Sequence, residues 1–152
     1  MHKPIKRHDS LKPVSRDHHH GLLFCWKIRE GFKRKIQPDR IRNYADWFWE
    51  THLTPHFAIE EHHVFPVLGN NHELVKKALA EHRRLKRLFE SETEDAVALG
   101  LIEEELEKHI RFEERQLFNE IQEVATPEQL AEIEKHHNEP AAGENWQDEF
   151  WK

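Results

Sequence analysis

A pattern of ten residues that occurs twice places the strongest constraint on how this chain can fold. The first copy reads HFAIEEHHVF from His56, and the second reads HIRFEERQLF from His109. Both copies share the leading His, the paired Glu, the final Phe and apolar residues at the second, fourth and ninth positions. Because residues four apart lie on the same face of a helix, each leading His faces the first Glu of its copy. The pattern therefore predicts two helices that carry matching His–Glu pairs.

These pairs, His56 with Glu60 and His109 with Glu113, have the chemistry of metal ligands. Imidazole nitrogen and carboxylate oxygen suit first-row transition ions such as iron, manganese and zinc. A single His-x-x-x-Glu is also typical of a hydrogen-bonded pair on a helix surface, but two copies in matching apolar frames favour a metal site. The second Glu of each copy lies about 100° around the helix, so we expect it to contribute far less.

The composition limits the fold class and the kinds of partner. The 152 residues fit one domain, and 34% charged residues with only 5 Gly are typical of amphipathic helices. A formal net charge of −6 argues against a nucleic-acid partner. Cys25 is the single cysteine, which excludes an intramolecular disulfide and favours a reducing compartment. Since the chain has neither an apolar run of membrane-spanning length nor a signal-peptide core, we expect a cytoplasmic protein with no membrane partner.

The helical periodicity predicts an all-α fold, an antiparallel up-down four-helix bundle with short connections. Ser15 is the expected N-cap of the first helix. Breaks between helices are expected at 37–39, 69–71 and 91–93. The predicted parts of the chain are an N-terminal arm (1–14), the bundle (15–124), and a short C-terminal helix with an aromatic tail (125–152).

Pro55 lies inside the second predicted helix, directly before His56. A proline in a helix interior removes one backbone donor and clashes with the preceding turn, which costs about 3 kcal/mol. The sequence is consistent with a kink that aims the adjacent ligand and equally with a simple break between two helices.

The chain after the bundle contains a helix start and an aromatic tail. Thr126, Pro127 and Gln129 form the pattern of an N-cap, a first-turn proline and a capping box. The tail is aromatic at Trp146 and at Phe150 with its neighbour Trp. We expect the tail to cover one end of the bundle, with contact to a protein partner as the other interpretation.

Each motif is preceded by a helix that carries a further histidine. In the second half this is His82, which follows an acidic residue and lies on an apolar stripe. In the first half the chain reads Asp-His-His-His at 17–20, where His18 matches the acidic–His pair of the second half. His19 instead shares a face with large apolar residues, so both histidines are candidates. A histidine in an apolar stripe is more often a core residue than a ligand, but pairing with a downstream motif favours a ligand.

The candidate metal ligands are His18 or His19, His56, Glu60, His82, His109 and Glu113. Four imidazoles and two carboxylates suit two metal ions, with bridging carboxylates and terminal histidines. This arrangement resembles the hemerythrin-like family, also called the His-His-Glu cation-binding domain, whose pattern is a lone His followed by His-x-x-x-Glu, given twice on a four-helix bundle. The resemblance covers roughly residues 14–124.

The resemblance implies a non-haem centre of two iron ions that interacts with oxygen, nitric oxide or oxidants. It further implies a role in sensing, iron handling or stress defence, and a metal- and ligand-binding protein more than an enzyme. The small diatomic ligand is the partner that it implies, and a sensor would also need a separate protein partner, for which the aromatic tail is a candidate surface.

One position departs from the oxygen-carrying hemerythrins that this chain resembles. Those proteins have a second His four residues after the lone His of the third helix, where this chain has Lys86. His52, His63 and Glu105 are candidates to fill the vacant ligand position, and Lys86 either lies partly buried beside the metals or extends into solvent. The departure favours a centre that reacts with oxygen or nitric oxide over a reversible oxygen carrier.

Three rival interpretations remain open at this stage. A ferritin-like di-iron oxidase uses Glu-x-x-His strings, which occur at Glu60–His63 and at Glu134–His137. A structural zinc module is usually four-coordinate and rich in cysteine. A metal-binding or metal-free interaction bundle without catalysis is the third, and in its metal-free form it leaves the repeated motif unexplained.

Overall fold

A computed structural model describes residues 6–137 and 146–152 of the chain, and these residues form helices and turns with no strand among them. The α-helices are, in chain order, α1 (Lys12–Lys33), α2 (Pro38–Phe48), α3 (Thr54–Ile59), α4 (Glu73–Phe89), α5 (Asp95–Phe112), α6 (Phe118–Val124) and α7 (Pro127–His136). The predicted all-α class is confirmed for these residues. None of the described helices combines the length and apolar character that a membrane crossing requires.

Three π-helical turns extend the α-helices into longer segments. Trp49–Leu53 joins α2 to α3, Glu60–Val64 continues α3, and Glu113–Leu117 joins α5 to α6. The second and third of these turns begin at the first Glu of the two motif copies. A π turn contains one extra residue and is frequent at functional sites. The matching positions of the second and third turns therefore indicate that both motifs belong to a functional site.

The helical backbone continues through Pro55, so the sequence does not break the helix there. The π turn Trp49–Leu53 ends directly before α3, and the Thr54 N–H bonds to the Trp49 carbonyl five residues earlier. Proline lacks the N–H that this ladder needs, and its ring crowds the carbonyl of the preceding turn. The wider turn relieves that crowding, which explains how a proline is tolerated one residue before His56.

Two pairs of packed helices, α1 with α5 and α4 with α5, run antiparallel. Gly21 of α1 lies against Ile110 of α5, whereas Arg29, further along α1, donates a 2.8 Å hydrogen bond to Glu103, which precedes Ile110 in α5. Helix α4 packs on α5 with the same reversal of direction. The short connection 90–94 joins α4 to α5 and favours the antiparallel packing of that pair.

Two apolar clusters fill the interior. On α1, Val14 belongs to one cluster and Phe24 to the other, and the buried His18 lies between them. Helix α4 repeats this order around His82. The first apolar cluster contains Phe24, Phe48, Phe89, Leu99 and Ile102, and the second contains Val14, Phe65, Leu117, Phe118 and Ile133. A polar layer therefore crosses the core between two apolar ones.

Helix α1 begins at Lys12, so the expectation that an arm extends to residue 14 and that Ser15 caps the helix is wrong. Pro13 is the reason, since proline is favoured in a first helical turn, where its missing N–H costs nothing. Ser15 instead donates a 3.0 Å hydrogen bond to Glu114. Residues 1–5 of the predicted arm lie outside the described residues.

The C-terminal predictions are confirmed where the structure describes the chain. Thr126 and Gln129 form the expected capping box at the start of α7. Phe150 is buried in the first apolar cluster, and Trp146 and Trp151 pack beside it against Tyr44. The aromatic tail therefore covers one end of the helical core, and the segment 138–145 lies outside the described residues.

The close packing of α1 yields a stability prediction. A Cβ added at Gly31 would lie 2.7 Å from Ile41 Cδ1 and 2.9 Å from Phe150 Cε1, whereas at Gly100 it would meet nothing within 4 Å. Alanine is favoured over glycine in a helix by about 1 kcal/mol, and overpacking costs about 1–3 kcal/mol. In urea denaturation we expect Gly100→Ala to raise the free energy of unfolding by about 1 kcal/mol and Gly31→Ala to lower it by about 1 kcal/mol. Equal effects of the two substitutions would contradict this packing.

Candidate metal centre

Six of the predicted ligands converge in the polar layer between the two apolar clusters. The four histidines are between 1% and 5% exposed, and both glutamates are fully buried at 0%. Each helical segment of the core contributes at least one of them. They are His18 on α1, His56 on α3, Glu60 at the start of its π turn, His82 on α4, His109 on α5 and Glu113 at the start of its π turn.

The six side chains form two ligand sets that share both glutamates. In each set, one donor atom from each of four residues lies within 4.8 Å of the others. The first ligand set is His18, His56, Glu60 and Glu113, and the second ligand set is His82, His109, Glu60 and Glu113. A pair of cations, each held by two imidazoles and both carboxylates, fits this arrangement.

The histidines outside the motifs connect the two halves of the chain. His18 Nε2 lies 2.8 Å from Glu113 Oε1 and 3.4 Å from Glu60 Oε2. His82 Nε2 lies 3.0 Å from Glu60 Oε1 and 3.8 Å from Glu113 Oε2. The motif histidines face the glutamate of their own copy, at 3.2 Å for His56 and 3.3 Å for His109. Both glutamates are therefore placed between the two histidine pairs.

Several buried nitrogen and oxygen atoms of these residues have no hydrogen-bond partner, and they show whether the residues fit a metal. Nε2 of His18, His56 and His109, Oε2 of Glu60 and both carboxylate oxygens of Glu113 have none. They lie at ion-pair distance from one another but outside hydrogen-bonding geometry. Buried polar atoms are normally paired. Nitrogen and oxygen lone pairs that converge on a common interior point fit cations placed between them.

A carboxylate outside the cluster orients each ligand histidine by accepting a hydrogen bond from its Nδ1. An Nδ1–H donor leaves Nε2 as the metal-binding nitrogen, which is the usual arrangement of histidine ligands. The four outer carboxylates and their distances are Glu114 to His18 at 3.0 Å, Asp17 to His56 at 2.9 Å, Glu61 to His82 at 2.8 Å and Glu81 to His109 at 2.7 Å.

The outer carboxylates follow the internal repeat. The acidic residue before each lone His orients the motif His of its own half, and the residue after each motif Glu orients the lone His of the other half. That Glu61 and Glu114 contribute far less than Glu60 and Glu113 stays a prediction, but the structure gives both residues a contact with a ligand histidine. Their rotation away from the cluster is what allows them to reach a histidine on a neighbouring helix. An acidic neighbour beside every ligand is the sequence signal for this role.

Without a metal, protons supply the positive charge of the centre. Burial alone would lower the pKa of His56, but the charge of Glu60 and the hydrogen bond to Asp17 raise it to about 9. Burial likewise opposes protonation of His109, and Glu113 and Glu81 raise its pKa to about 10. The pKa of Glu60 is lowered, because the histidine charges outweigh its burial. The carboxylates thus require a cation, either as protons on imidazole or as metal.

The structure places the remaining ligand candidates, three histidines and one glutamate, outside both ligand sets. His19 is exposed on α1 beside His20, so the structure brings His18 and not His19 into the cluster. His52 lies against the Phe48 ring at 4.9 Å, and His63 stacks on another histidine in α7 at 3.8 Å. Glu105 bonds to Arg84 at the surface. None of these four therefore fills the position of a fifth histidine in this structure.

Lys86 extends into solvent, with its side chain 63% exposed and its Nζ 4.0 Å from Glu90. The interpretation that Lys86 lies partly buried beside the metals is wrong, because the inward face of α4 after His82 is occupied by Leu85. The apolar neighbour of the second ligand set is Phe57, whose ring stacks on His82 at 3.8 Å and lies 5.8 Å from the His109 ring.

The Glu-x-x-His strings of a ferritin-like site are not brought together. Glu60 lies in the cluster, but His63 stacks outside it on His136. Glu134 accepts a 3.2 Å hydrogen bond from Ser10, and His137 bonds to Asp17 rather than to a shared ligand position.

The raised histidine pKa values predict opposite pH responses with and without metal. In metal-free protein, His56 and His109 titrate near 9 and 10, above their usual value of about 6.5. Their contribution to stability is therefore complete below pH 6.5 and is lost as the pH rises toward 9 and 10. With a chelator present, we expect the free energy of unfolding to fall from pH 6.5 to 9. In metal-loaded protein, protons compete less with the metal for the histidines over this pH range, so the metal affinity should rise. A metal-free stability that stays constant or rises would contradict the account.

Comparison of the chain with protein-family models, with curated proteins and with solved structures finds no match. The interpretation of the site therefore depends on its residues and their geometry.

Proposed function

We propose that this chain is a hemerythrin-like protein, an antiparallel four-helix bundle that holds two non-haem iron ions. The observation that carries the proposal is the pair of buried ligand sets that share Glu60 and Glu113 and contain donor atoms without partners. His18 and His56 would hold one ion, His82 and His109 the other. A metal-free interaction bundle would leave these buried atoms unexplained.

The donor set favours iron over a structural zinc. Structural zinc is held in a closed tetrahedral site, often by thiolates. Here Cys25 is buried in the first apolar cluster, and burial raises its pKa to about 12, so it supplies no thiolate. A six-coordinate ion held by two imidazoles and two shared carboxylates would keep positions for further ligands. Iron in such a site supplies electrons to oxygen or binds nitric oxide.

The surroundings of the centre favour a diatomic ligand. The ligand residues are almost fully buried, and Phe57 borders the second ligand set with an apolar ring. The protein residues therefore exclude bulk water and orient the histidines through the outer carboxylates, which favours a small ligand over a large one. We propose that the chain binds oxygen or nitric oxide in sensing, iron handling or stress defence.

Metal analysis tests the identity of the centre. Protein expressed in iron-rich medium should contain two iron atoms per chain, one for each ligand set. Near-ultraviolet charge-transfer absorption should appear in the ferric state and decrease on anaerobic reduction. A single tightly held zinc, or no bound metal, would contradict the proposal.

Substitution of the glutamates should produce a graded loss of iron. Glu60→Ala and Glu113→Ala remove a carboxylate that belongs to both ligand sets, so each variant should lose both ions. Glu61→Ala and Glu114→Ala remove the partner of a ligand histidine, which should weaken iron binding by about 10–100-fold. The exposed Glu104 of α5 is the matched control, and Glu104→Ala should bind iron as the unaltered protein does.

Chelator competition with ferrous iron measures this series. If the Glu61 and Glu114 variants lose as much iron as the Glu60 and Glu113 variants, the division into ligand glutamates and outer carboxylates is wrong.

A further inference from the structure

One ligand histidine is connected to a helix outside the ligand-bearing core. Asp17 Oδ2 lies 2.9 Å from His56 Nδ1, and the same oxygen lies 2.5 Å from His137 Nε2. The pKa of Asp17 is lowered, because the hydrogen bonds from the two histidines outweigh its burial. Among the hydrogen bonds of the described residues, the equivalent carboxylate Glu81 bonds to His109 alone. At Asp17 the internal repeat is therefore broken by a second histidine.

His137 directly follows α7 as its C-cap residue. Other contacts hold α7 against the first motif and the N-terminal residues. The backbone N–H of His137 bonds to the Ile133 carbonyl, so its position is fixed by the helix. Ile133 is fully buried in the second apolar cluster. His136, the neighbouring residue, stacks on His63 and bonds to Glu132 at 2.8 Å without reaching the centre.

We propose that His137 is a positioning residue for the first ligand set, and that it couples the docking of α7 to metal binding by His18 and His56. This inference rests on the proposed metal centre. The path has two hydrogen bonds, from His137 to Asp17 and from His56 to Asp17. When α7 is docked, Asp17 is held in place and fixes the tautomer and direction of the His56 ring.

Thermodynamic linkage makes this coupling reciprocal. If docking of α7 increases metal affinity at the first ligand set by a given factor, metal binding must increase the stability of docking by the same factor. Loss of a partner outside the ligand shell costs about 10–100-fold in metal affinity. Since His137 acts through Asp17, we expect the lower end of that range, about 10-fold, and only for one of the two ions.

The first experiment compares His137→Ala with the matched control His136→Ala and with His137→Gln, which retains a side-chain N–H donor. Anaerobic titration with ferrous iron against a chelator gives the affinity of each ion. Hydrogen exchange of 127–137, with and without iron, reports the docking of α7. We expect His137→Ala to lower the affinity for one ion about 10-fold and to abolish the iron-induced protection of α7 from hydrogen exchange. His136→Ala should retain both properties, and His137→Gln should restore them in part.

A double-variant cycle separates positioning from general support of the fold. Ile133→Ala removes a buried contact and loosens α7 without altering the His137 side chain itself. If His137 carries the coupling, Ile133→Ala lowers the affinity for one ion in the natural background. In the His137→Ala background it has no further effect on that affinity. If α7 merely supports the fold, Ile133→Ala weakens both ions, and it does so in both backgrounds, which would overturn the proposal.

The outcomes distinguish this inference from the function on which it rests. If His137→Ala binds both ions with the same affinities as the unaltered protein does, the coupling is overturned and the metal centre stays intact. Absence of any bound ion in the unaltered protein overturns the metal centre itself.

Discussion

The burial of two carboxylates, three of whose four oxygens have no hydrogen-bond donor, is the constraint on which the rest of the structure depends. Glu60 and Glu113 are fully inside the protein, and four further carboxylates lie directly around the histidines that face them. Removing an ionised carboxylate from water costs several kcal/mol unless a positive charge compensates it. The polar layer between the two apolar clusters is thus stable only when protons or metal ions occupy it.

This constraint explains why each ligand is held from two sides. A histidine that is free to rotate would present either ring nitrogen to a cation. The outer carboxylates remove that freedom, and the π turns place Glu60 and Glu113 at matching positions in the two halves. The sites are not identical, however. Phe57 stacks on His82 at 3.8 Å, while Phe118 stacks on His18 at 5.0 Å, so the two ligand sets have different surroundings.

Much of the site was predictable from the sequence because its signal is periodic. The repeated His-x-x-x-Glu and the acidic–His pairs placed His18 and His82 beside the motifs. The choice between His18 and His19 required the structure, since the packing of α1 on α5 decides which face of α1 is buried.

Other features had no usable sequence signal. The π turns depend on packing between helices rather than on local propensity, so the continuous helix through Pro55 was not predictable. For Lys86 the sequence left a buried and a solvent-exposed position open, and the burial of Leu85 on the inward face of α4 leaves Lys86 in solvent. The partner of Asp17 was also hidden, because His137 lies 120 residues away along the chain.

The central claim is that two metal ions share both glutamates inside the helical core. Anomalous X-ray diffraction at the iron absorption edge, from crystals of iron-loaded protein, tests it most directly. The account predicts two anomalous peaks, one between His18 and His56 and one between His82 and His109, with Glu60 and Glu113 coordinating both. A single peak, or peaks confined to the surface histidines of α1 and α7, would contradict it.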